Sequence, residues 1–347
     1  PALAVAESLQ LAQRTVELEF VGARGGMEAR IVQGAGYTLH ELSVTGFYRQ
    51  LNLRNLLRNL AFPFNLIRSR IEAHRLIRQF MPDWVIGFGG YASYPAVRAG
   101  MALGCRTAIM EQNAWPGLAN RKLAPGVDVV FLGSEAAAPH LPARLHLHTG
   151  NPVRARIGTT SRSEARKHLG FPDDAFVLLV LGGSLGARAI NDVLEACWPA
   201  LIDRNLTVLW QCGRQYHDEL TRRIPWHPQL HLMPYIERMD WAMAAADLAV
   251  CRAGALTLAE LQQATVPAVL VPSPNVAEDH QTKNATAYAR LGGAQVIPQS
   301  DLPSRLTNCI LDLVEHPSQL QFMRNHLDRL PRQNAAGRIA EYILAYE

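Results

Sequence analysis

The sequence predicts an α/β protein built from two Rossmann-like, doubly wound domains that face each other across a cleft. Short apolar runs rich in β-branched residues alternate with segments of helical periodicity, the pattern of parallel sheets covered by helices. The length of 347 residues exceeds what one hydrophobic core usually supports. Hydrophobic residues make up 48% and charged residues 18%, which is typical of a folded globular chain.

Buried strands are predicted in both halves of the chain. They are residues 16–22, 84–86, 107–110 and 127–131 in the first half, and 176–181, 206–210, 248–251 and 268–271 in the second. A turn-rich segment, residues 149–154 (TGNPVR), separates the two sets. We therefore predict an N-terminal domain over residues 1–150 and a C-terminal domain over residues 151–332.

Charge and cysteine content exclude several classes of protein. A net charge of +4 is too small to indicate nucleic-acid binding, although it suits an anionic ligand or lipid surface. The five cysteines form no CxxC pair and no Cys/His cluster, so we expect reduced thiols and no metal site. Because no apolar run of about 18 residues and no signal peptide is recognised, we expect a cytosolic chain.

The first residues, 1–9 (PALAVAESL), are typical of a helix with proline in its first turn. A doubly wound domain normally opens with a strand and a loop that lead into such a helix. We therefore expect a further segment upstream of Pro1.

Two glycine-containing turns in the second half indicate phosphate binding. Residues 182–187 (GGSLGA) follow a predicted strand and enter a helix, where backbone N–H groups and the helix dipole attract an anion. Residues 251–257 (CRAGALT) repeat the arrangement. Thr257 offers a hydroxyl to a phosphate, and Glu260 can accept hydrogen bonds from a ribose. The alternatives are tight connections, a helix-capping Thr257 and an ordinary first-turn Glu260.

Polar groups also follow other strands. Residues 274–281 form a loop that ends in Gln281, whose amide can both donate to and accept from sugar hydroxyls. In the first half, residues 87–91 (GFGGY) and 111–113 (EQN) each follow a strand, at the sheet edge where these folds bind ligands. A simple turn, a solvated loop and a helix cap remain the alternatives for these segments.

Residues 49–78 form a basic amphipathic segment with seven arginines and one acid, Glu72. Leucine, isoleucine and phenylalanine recur at helical spacing, which suits an anionic membrane surface. The alternative is a helix packed on its own sheet with a solvated arginine face. The predicted membrane patch consists of Arg54, Leu57, Arg58, Phe64, Ile67 and Arg68.

Taken together, five motifs resemble the bacterial MurG family, the N-acetylglucosaminyl transferases that convert the first lipid-linked peptidoglycan precursor into the second. The motifs are residues 87–91, 111–113, 150–154, 182–187 and 251–257. The resemblance implies a B-type glycosyltransferase fold, with the lipid acceptor on the N-terminal domain and the UDP-sugar on the C-terminal one. It also implies that a final helix, within residues 333–347, returns to the first domain.

The resemblance further implies roles for individual residues. The backbone of Ile236 reads uracil and Glu260 holds the ribose. The diphosphate is met by Ser184, Thr257 and Arg154, and the N-acetylglucosamine by Asn113, Ala255, Leu256 and Gln281. The acceptor diphosphate faces Gly89, Gly90, Tyr91 and Glu111. The family's glycine-rich loop and a histidine precede the stretch at which this sequence begins.

The implied reaction is an inverting transfer of N-acetylglucosamine from its UDP donor to a polyprenyl-diphosphate-linked muramyl-pentapeptide, with a β-1,4 bond. Glu111 is the candidate general base, with the family's histidine as its rival. No Asp-x-Asp motif occurs, so we expect no metal cofactor. The expected location is peripheral, at the cytoplasmic face of the inner membrane. Cell-wall and division proteins are expected partners, and nucleic acid is not.

Three alternatives stay open at this point. One is a related transferase that uses another lipid acceptor such as diacylglycerol, and a second is a UDP-sugar epimerase on the same scaffold. A third, from another class, is a UDP-sugar-binding scaffold without activity. A dinucleotide dehydrogenase is disfavoured because neither glycine turn has the full GxGxxG pattern followed by an acid about 20 residues later.

Overall fold

The computed structural model describes residues 1–13, 15–26, 28–44, 62–183, 185–276, 279–332 and 334–346. The chain divides into two compact units, Pro1–Pro152 with Asn334–Glu347, and Val153–Gln333. The change from one unit to the next falls within the turn-rich segment at residues 149–154. Both units contain parallel sheets and helices, which confirms the predicted α/β class.

The first unit contains two parallel sheets. One is the pair β1 and β2, and the other is four-stranded in the order β3-β4-β5-β6. The strands are β1 Glu19–Ala23, β2 Thr38–Leu42, β3 Trp84–Gly87, β4 Arg106–Glu111, β5 Val129–Leu132 and β6 His146–His148. The helices are α1 Ala2–Ala12, α2 Glu28–Gly34, α3 Phe62–Phe80, α4 Gly90–Leu103, α5 Leu118–Leu123 and the C-terminal helix Ala335–Leu344. Short 3₁₀ turns lie at Ala124–Gly126 and Glu135–His140.

Both faces of the four-stranded sheet are buried. Ile109 and Val130 face a cluster that includes Val97 of α4. Met110 and Phe131, one position along each strand, face the opposite side. This period of two is the geometry of a strand, and burial on both sides explains why β4 and β5 are apolar runs rather than alternating ones.

The C-terminal helix packs within this first unit. Its apolar residues Ile339 and Ile343 join Val5 and Leu9 of α1 in the cluster that covers Phe131. The helix Ala335–Leu344 is capped by the Asn334 side chain, which accepts a hydrogen bond from the Gly337 N–H at 3.0 Å. A side-chain cap at the first residue satisfies one of the N–H groups that a helix start leaves open.

The second unit contains one six-stranded parallel sheet in the order β12-β11-β10-β7-β8-β9. Its strands are β7 Phe176–Leu181, β8 Leu206–Gln211, β9 Leu230–Met233, β10 Leu248–Cys251, β11 Ala268–Leu270 and β12 Ala294–Val296. Its helices are α6 Arg162–Leu169, α7 Arg188–Ile202, α8 Arg214–Arg223, α9 Met239–Ala245, α10 Ala255–Gln263, α11 His280–Arg290, α12 Leu302–Glu315 and α13 Pro317–Arg329, with a 3₁₀ turn at Gln299–Asp301.

The strand order reverses beside β7. The chain builds β7, β8 and β9 outward in one direction, then returns to place β10, β11 and β12 on the other side. Open α/β sheets bind their ligands at the carboxyl ends of the strands where the order reverses. The ends of β7 and β10 are therefore the expected place for a ligand in this unit. Among the helices that the structure describes, none has the length and apolar content needed to cross a membrane.

Candidate functional site

Two strand-to-helix turns start side by side at the reversal point of the second unit. Strands β7 and β10 are paired, with Leu181 opposite Cys251. The turn after β7 is residues 182–187, and the turn after β10 leads into α10. The pairing explains why two motifs about 70 residues apart in sequence begin next to each other.

The glycine turn has a backbone that other residues would not tolerate. Gly183 and Gly186 have φ values of +81° and +80°. A Cβ on Gly186 would lie 2.1 Å from the carbonyl oxygen of Cys212, so glycine is required there for space as well as for conformation. Helix α7 begins directly afterwards at Arg188. Ser184, predicted to meet the diphosphate, lies outside the described residues.

A cavity of about 510 Å³ opens beside this turn and includes Gln281. The Gln281 Oε1 atom accepts a hydrogen bond from the Ser273 N–H at 2.9 Å. The oxygen is thus anchored to the protein, and the amide nitrogen is the end suited to donate to a ligand. The cavity is lined by Gly182, Gly186, Ala187, Arg188, Ala189, Asp192, Arg252, Ser273, Asn275, Gln281 and Gln299.

Arg252 also lines this cavity, although the sequence did not single it out. Its guanidinium donates to the carbonyl oxygens of Val271 and Pro272 at 3.2 and 3.3 Å, and to Gln299 Oε1 at 2.6 Å. Burial lowers the pKa of Arg252 from its ordinary value. The arginine ties the loop after β11 to the cavity wall and places positive charge next to the glycine turn. The sequence feature that could have identified Arg252 is its position within the motif of residues 251–257 (CRAGALT).

Helix α10 presents the second turn. Its first turn carries Ala255, Leu256 and Thr257, all partly buried. The Leu258 N–H bonds to the Gly254 carbonyl at 3.0 Å, and the N–H groups of Leu256 and Thr257 come earlier in the helix. First-turn N–H groups have no intrahelical acceptor and carry the positive end of the helix dipole. The structure therefore places these predicted residues at an anion-attracting helix start.

Glu260 lies one turn further along α10 and is half-buried. Burial raises the pKa of Glu260, while the positive charge of Arg154 opposes that rise. The structure thus places the predicted ribose and phosphate residues within electrostatic range of each other, although Arg154 itself is exposed.

The Ile236 backbone is connected to the glycine turn through one side chain. The Ile236 N–H donates to Gln211 Oε1 at 2.8 Å, and Gln211 Nε2 donates to the Gly183 carbonyl at 3.0 Å. Ile236 is buried. Gln211 was not among the residues predicted from the sequence.

In the first unit, the predicted loops also come together. Gln112 Nε2 donates to the Phe88 carbonyl at 3.0 Å, and Asn151 Nδ2 donates to the Gln112 carbonyl at 3.0 Å. Gly89 and Gly90 have φ values of +81° and +76°, which require glycine. The loops that follow β3, β4 and β6 therefore form one connected edge. Tyr91, just after the glycine pair, is 58% exposed and can reach a ligand.

Glu111 occupies the interior of this edge. Its side chain accepts four hydrogen bonds, from the Asn113 N–H and Nδ2, the Gly117 N–H and Asn120 Nδ2, at 2.9 to 3.2 Å. Glu111 is only 1% exposed. A general base must reach the proton it removes. Because both oxygens already accept hydrogen bonds from the following loop and from Asn120 of α5, this arrangement argues against the predicted role of Glu111 as general base and favours a structural one.

Helix α3 carries the described part of the membrane patch. Phe64 and Ile67 are 68% and 61% exposed, whereas Ala73 and Ile77 on the same helix are buried in the core of the unit. Arg68 Nε donates to Glu72 Oε1 at 2.9 Å. The helix therefore has an apolar inner face and additional exposed apolar side chains. Arg54, Leu57 and Arg58 lie outside the described residues.

The described residues contain no group of three or more His, Cys, Asp or Glu side chains that could hold a metal ion. The charged groups next to the cavity of the second unit are instead Arg188, Asp192 and Arg252.

Comparisons with known proteins cover nearly the whole chain. Residues 1–132 match the glycosyltransferase family 28 N-terminal domain, and residues 177–339 match the glycosyltransferase family 28 C-terminal domain. A relative from Salinibacter ruber, named UDP-N-acetylglucosamine--N-acetylmuramyl-(pentapeptide) pyrophosphoryl-undecaprenol N-acetylglucosamine transferase, is 39% identical over 99% of this chain and 92% of its own length. A relative of the same name from Flavobacterium psychrophilum is 34% identical, with 99% and 93% covered.

Solved structures agree with these matches. The MurG crystal structure from Acinetobacter baumannii has a TM-score of 0.74 and 30% identity, with 99% of this chain and 95% of that chain covered. A UDP-GlcNAc 2-epimerase from Neisseria meningitidis has a TM-score of 0.65 at 14% identity, with 99% and 97% covered, and therefore shares the fold alone. The B-type glycosyltransferase fold predicted from the motifs is confirmed. The chain belongs to the MurG family of N-acetylglucosamine transferases within glycosyltransferase family 28.

Proposed function

We propose that this protein transfers N-acetylglucosamine from UDP-N-acetylglucosamine to the muramyl-pentapeptide of a polyprenyl-diphosphate-linked precursor. The observation that carries the proposal is the pair of anion-attracting turns at the ends of β7 and β10, in a chain that matches the named transferases over almost its full length. The product is the second lipid-linked precursor of peptidoglycan. Through it we propose a contribution to cell shape and division, with cell-wall and division proteins as partners.

The donor roles follow from the second unit. The glycine turn with Ser184, together with Thr257 and Arg154, is proposed to hold the diphosphate. Glu260 is proposed to accept hydrogen bonds from the ribose, and Ile236 to read uracil through its backbone. Its N–H is already bonded to Gln211, which leaves the carbonyl oxygen as the natural partner of the uracil N3–H. Ala255, Leu256 and Gln281 are proposed to contact the sugar.

The chemistry is proposed to be a direct inverting displacement. The acceptor 4-hydroxyl attacks the anomeric carbon and its proton passes to a general base. The bond between that carbon and the UDP oxygen breaks, UDP leaves with the bonding electrons, and a β-1,4 bond forms. Negative charge develops on the leaving diphosphate, where Arg154 and the two helix starts can stabilise it. We propose that no protein-bound metal is obligatory, and full activity after exhaustive chelation would support this.

The acceptor roles are proposed for the edge of the first unit. Gly89 and Gly90 bring backbone close to the acceptor diphosphate, and Tyr91 lies exposed beside them. Asn113 is proposed to contact the transferred sugar. Glu111 accepts two hydrogen bonds from Asn113 and is therefore proposed to hold that amide in place rather than to remove a proton.

The protein is proposed to act peripherally at the cytoplasmic face of the bacterial inner membrane. Its acceptor carries a polyprenyl chain, so the acceptor diphosphate lies at the membrane surface. Phe64 and Ile67, exposed on α3, can enter the headgroup region while nearby arginines meet anionic lipids. The neighbouring Arg54, Leu57 and Arg58 are proposed to extend this patch.

The test is to incubate the protein with UDP-N-acetylglucosamine and a short-chain lipid-linked muramyl-pentapeptide, and to follow the disaccharide product by mass spectrometry. Product with the expected β-1,4 linkage supports the proposal. Transfer only to diacylglycerol would instead indicate a related transferase. Conversion of the sugar nucleotide without an acceptor would indicate an epimerase. Tight binding of the donor without any product would indicate a UDP-sugar-binding scaffold without activity.

A further inference from the structure

The end of strand β8 lies between the two parts of the proposed donor site. Gln211 is the last residue of β8, opposite Leu181 of β7 on one side and Met233 of β9 on the other. Leu181 leads directly into the glycine turn, and Met233 leads into the segment that ends at Ile236. One residue of the sheet is therefore adjacent to both segments.

The Gln211 side chain bridges these segments. Its Nε2 donates to the Gly183 carbonyl at 3.0 Å, and its Oε1 accepts from the Ile236 N–H at 2.8 Å. Gln211 is 3% exposed and Ile236 is buried as well, so the bond between them is shielded from water, whereas Gly183 lies at the surface. An amide side chain donates through its nitrogen and accepts through its oxygen without carrying a charge. The identity of the residue is thus matched to the two groups it joins.

The surrounding backbone reinforces the bridge. The Gly182 N–H donates to the Gln211 carbonyl at 3.3 Å, and the Cys212 N–H donates to the Met233 carbonyl at 3.0 Å. Gly186 approaches Cys212 so closely that no side chain fits. Both ends of the glycine turn and the segment before Ile236 are therefore adjacent to Gln211 and Cys212.

We propose that Gln211 is a positioning residue that sets the distance between the phosphate-binding turn and the uracil-reading segment of the donor site. This inference rests on the proposed function. The covalent links of a nucleoside diphosphate limit the spacing between base and phosphates, so the two segments must match that range together. Gln211 contacts neither ligand group and acts through Gly183 and Ile236.

Two substitutions of Gln211 distinguish a role in positioning the donor site from a role in packing the core. Gln211→Leu keeps the approximate volume but removes both hydrogen bonds. It leaves the buried Ile236 N–H without its acceptor, whereas the Gly183 carbonyl keeps its bond from the Gly186 N–H. We expect the Kd for UDP and the KM for the donor to rise about tenfold or more, because each lost bond corresponds to roughly 1 kcal/mol or more. The KM for the lipid acceptor should stay unchanged.

Gln211→Glu provides a rescue by pH. An ionised carboxylate can accept from Ile236 but repels the Gly183 carbonyl, whereas a protonated carboxyl donates to Gly183 and accepts from Ile236. Burial beside a carbonyl favours the protonated form. We expect the ratio of the UDP Kd of this variant to that of wild type to fall as pH is lowered from about 8 to about 5.5. The same ratio for Gln211→Leu should stay flat.

The control is Arg166→Met, which removes a buried ionic contact at the opposite, amino-terminal end of the same sheet. It should lower the melting temperature without changing the UDP Kd. The inference is overturned if Gln211→Leu binds UDP as wild type does, or if Gln211→Glu shows no pH-dependent recovery relative to wild type. If wild type itself binds neither UDP nor UDP-N-acetylglucosamine, the proposed function fails, and the inference fails with it.

Discussion

The Glu111 carboxylate holds both polar groups of Asn113, its backbone N–H at 2.9 Å and its Nδ2 at 3.2 Å. The second carboxylate oxygen bonds to Gly117 and Asn120 in the same way. A buried carboxyl group that accepts four hydrogen bonds is fixed in position. The hydrogen bonds between Glu111 and Asn113 therefore give both residues of the EQN motif a structural reason to be present at this strand end.

Glu111→Gln should therefore impair the enzyme by displacing Asn113. The substituted amide places N–H groups against two existing donors, so we expect kcat/KM to fall about tenfold or more, together with a lower melting temperature. The acidic limb of the pH profile of kcat should keep its position, since we propose a structural role for Glu111 and not that of the base. Loss of that limb in the variant would restore Glu111 as the general base.

Glu260→Ala should weaken nucleotide binding. The carboxylate is proposed to accept hydrogen bonds from the ribose, and its removal should raise the Kd for UDP about tenfold by titration calorimetry. Glu260→Gln, which still accepts, should lie between this variant and wild type. Asp218→Asn, at a side chain that is 93% exposed, is a matched control without effect. An unchanged Kd in Glu260→Ala would remove the ribose role.

Glu260 should also make stability depend on pH in a defined direction. Burial raises its pKa above the ordinary value of 4.5, against the opposing charge of Arg154. The folded state therefore favours the protonated form, and the ionised form costs stability as pH rises through the raised pKa. The melting temperature of Glu260→Gln relative to wild type should thus increase from about pH 4 to neutrality. A constant difference, measured by calorimetry, would contradict the raised pKa.

The sequence predicted the central strands well and the edge strands poorly. The predicted bounds of β7 and β10 are the observed ones, because strands buried on both faces are continuous apolar runs. Strand β12 at the edge of the same sheet, Ala294–Val296, was not predicted. Three residues with a central glutamine give no periodic signal. The short β6, His146–His148, was missed for the same reason.

In the candidate site, residues with a local structural requirement were predicted from the sequence, and residues that act through tertiary contacts were not. The glycine turn was predicted because its backbone requires glycine at particular positions. Gln211 and Arg252 were missed because their roles come from contacts with residues distant in sequence, such as Gln211 with Gly183 and Ile236. Glu111 was recognised as important, but its hydrogen-bond partners, which decide its role, are visible only in the folded loop.

The exposed side chains of α3 predict a specific effect on membrane binding. Phe64→Ser with Ile67→Ser should reduce sedimentation with anionic phospholipid vesicles, because less apolar surface can enter the interface. The melting temperature should change little, since both side chains are largely exposed. Arg54→Glu with Arg58→Glu should weaken the same binding and reduce its dependence on salt. If both double variants sediment with the vesicles as wild type does, the proposed membrane patch does not bind the membrane.

Two cysteines beside the donor turns should be chemically inert in the native protein. Burial raises the pKa of Cys212 to about 11 and that of Cys251 to about 12. At about pH 8 the thiolate fraction is then on the order of 0.001 or less, and thiolate is the reactive form. Iodoacetamide should modify both residues only after denaturation, as read by peptide mass spectrometry. Native labelling at the rate of a free thiol would show that the carboxyl end of the sheet opens.

Arg166 should stabilise the second unit from the end of the sheet opposite to the donor turns. Its guanidinium is buried and donates to Asp247 Oδ2 at 2.7 Å and to the Ala245 carbonyl at 3.1 and 3.2 Å. The same Asp247 oxygen accepts the Val177 N–H at 2.8 Å, so the pair joins α6 to the start of β7. Burial lowers the pKa of Arg166, which shows the desolvation cost that these bonds offset.

Arg166→Ala leaves Asp247 buried with less compensation, so we expect a loss of about 3 kcal/mol and a clear decrease in the melting temperature. UDP affinity below the transition should be unchanged, since a six-residue strand separates the two ends by about 20 Å. A variant as stable as wild type would show that the ion pair does not hold the start of β7 in place.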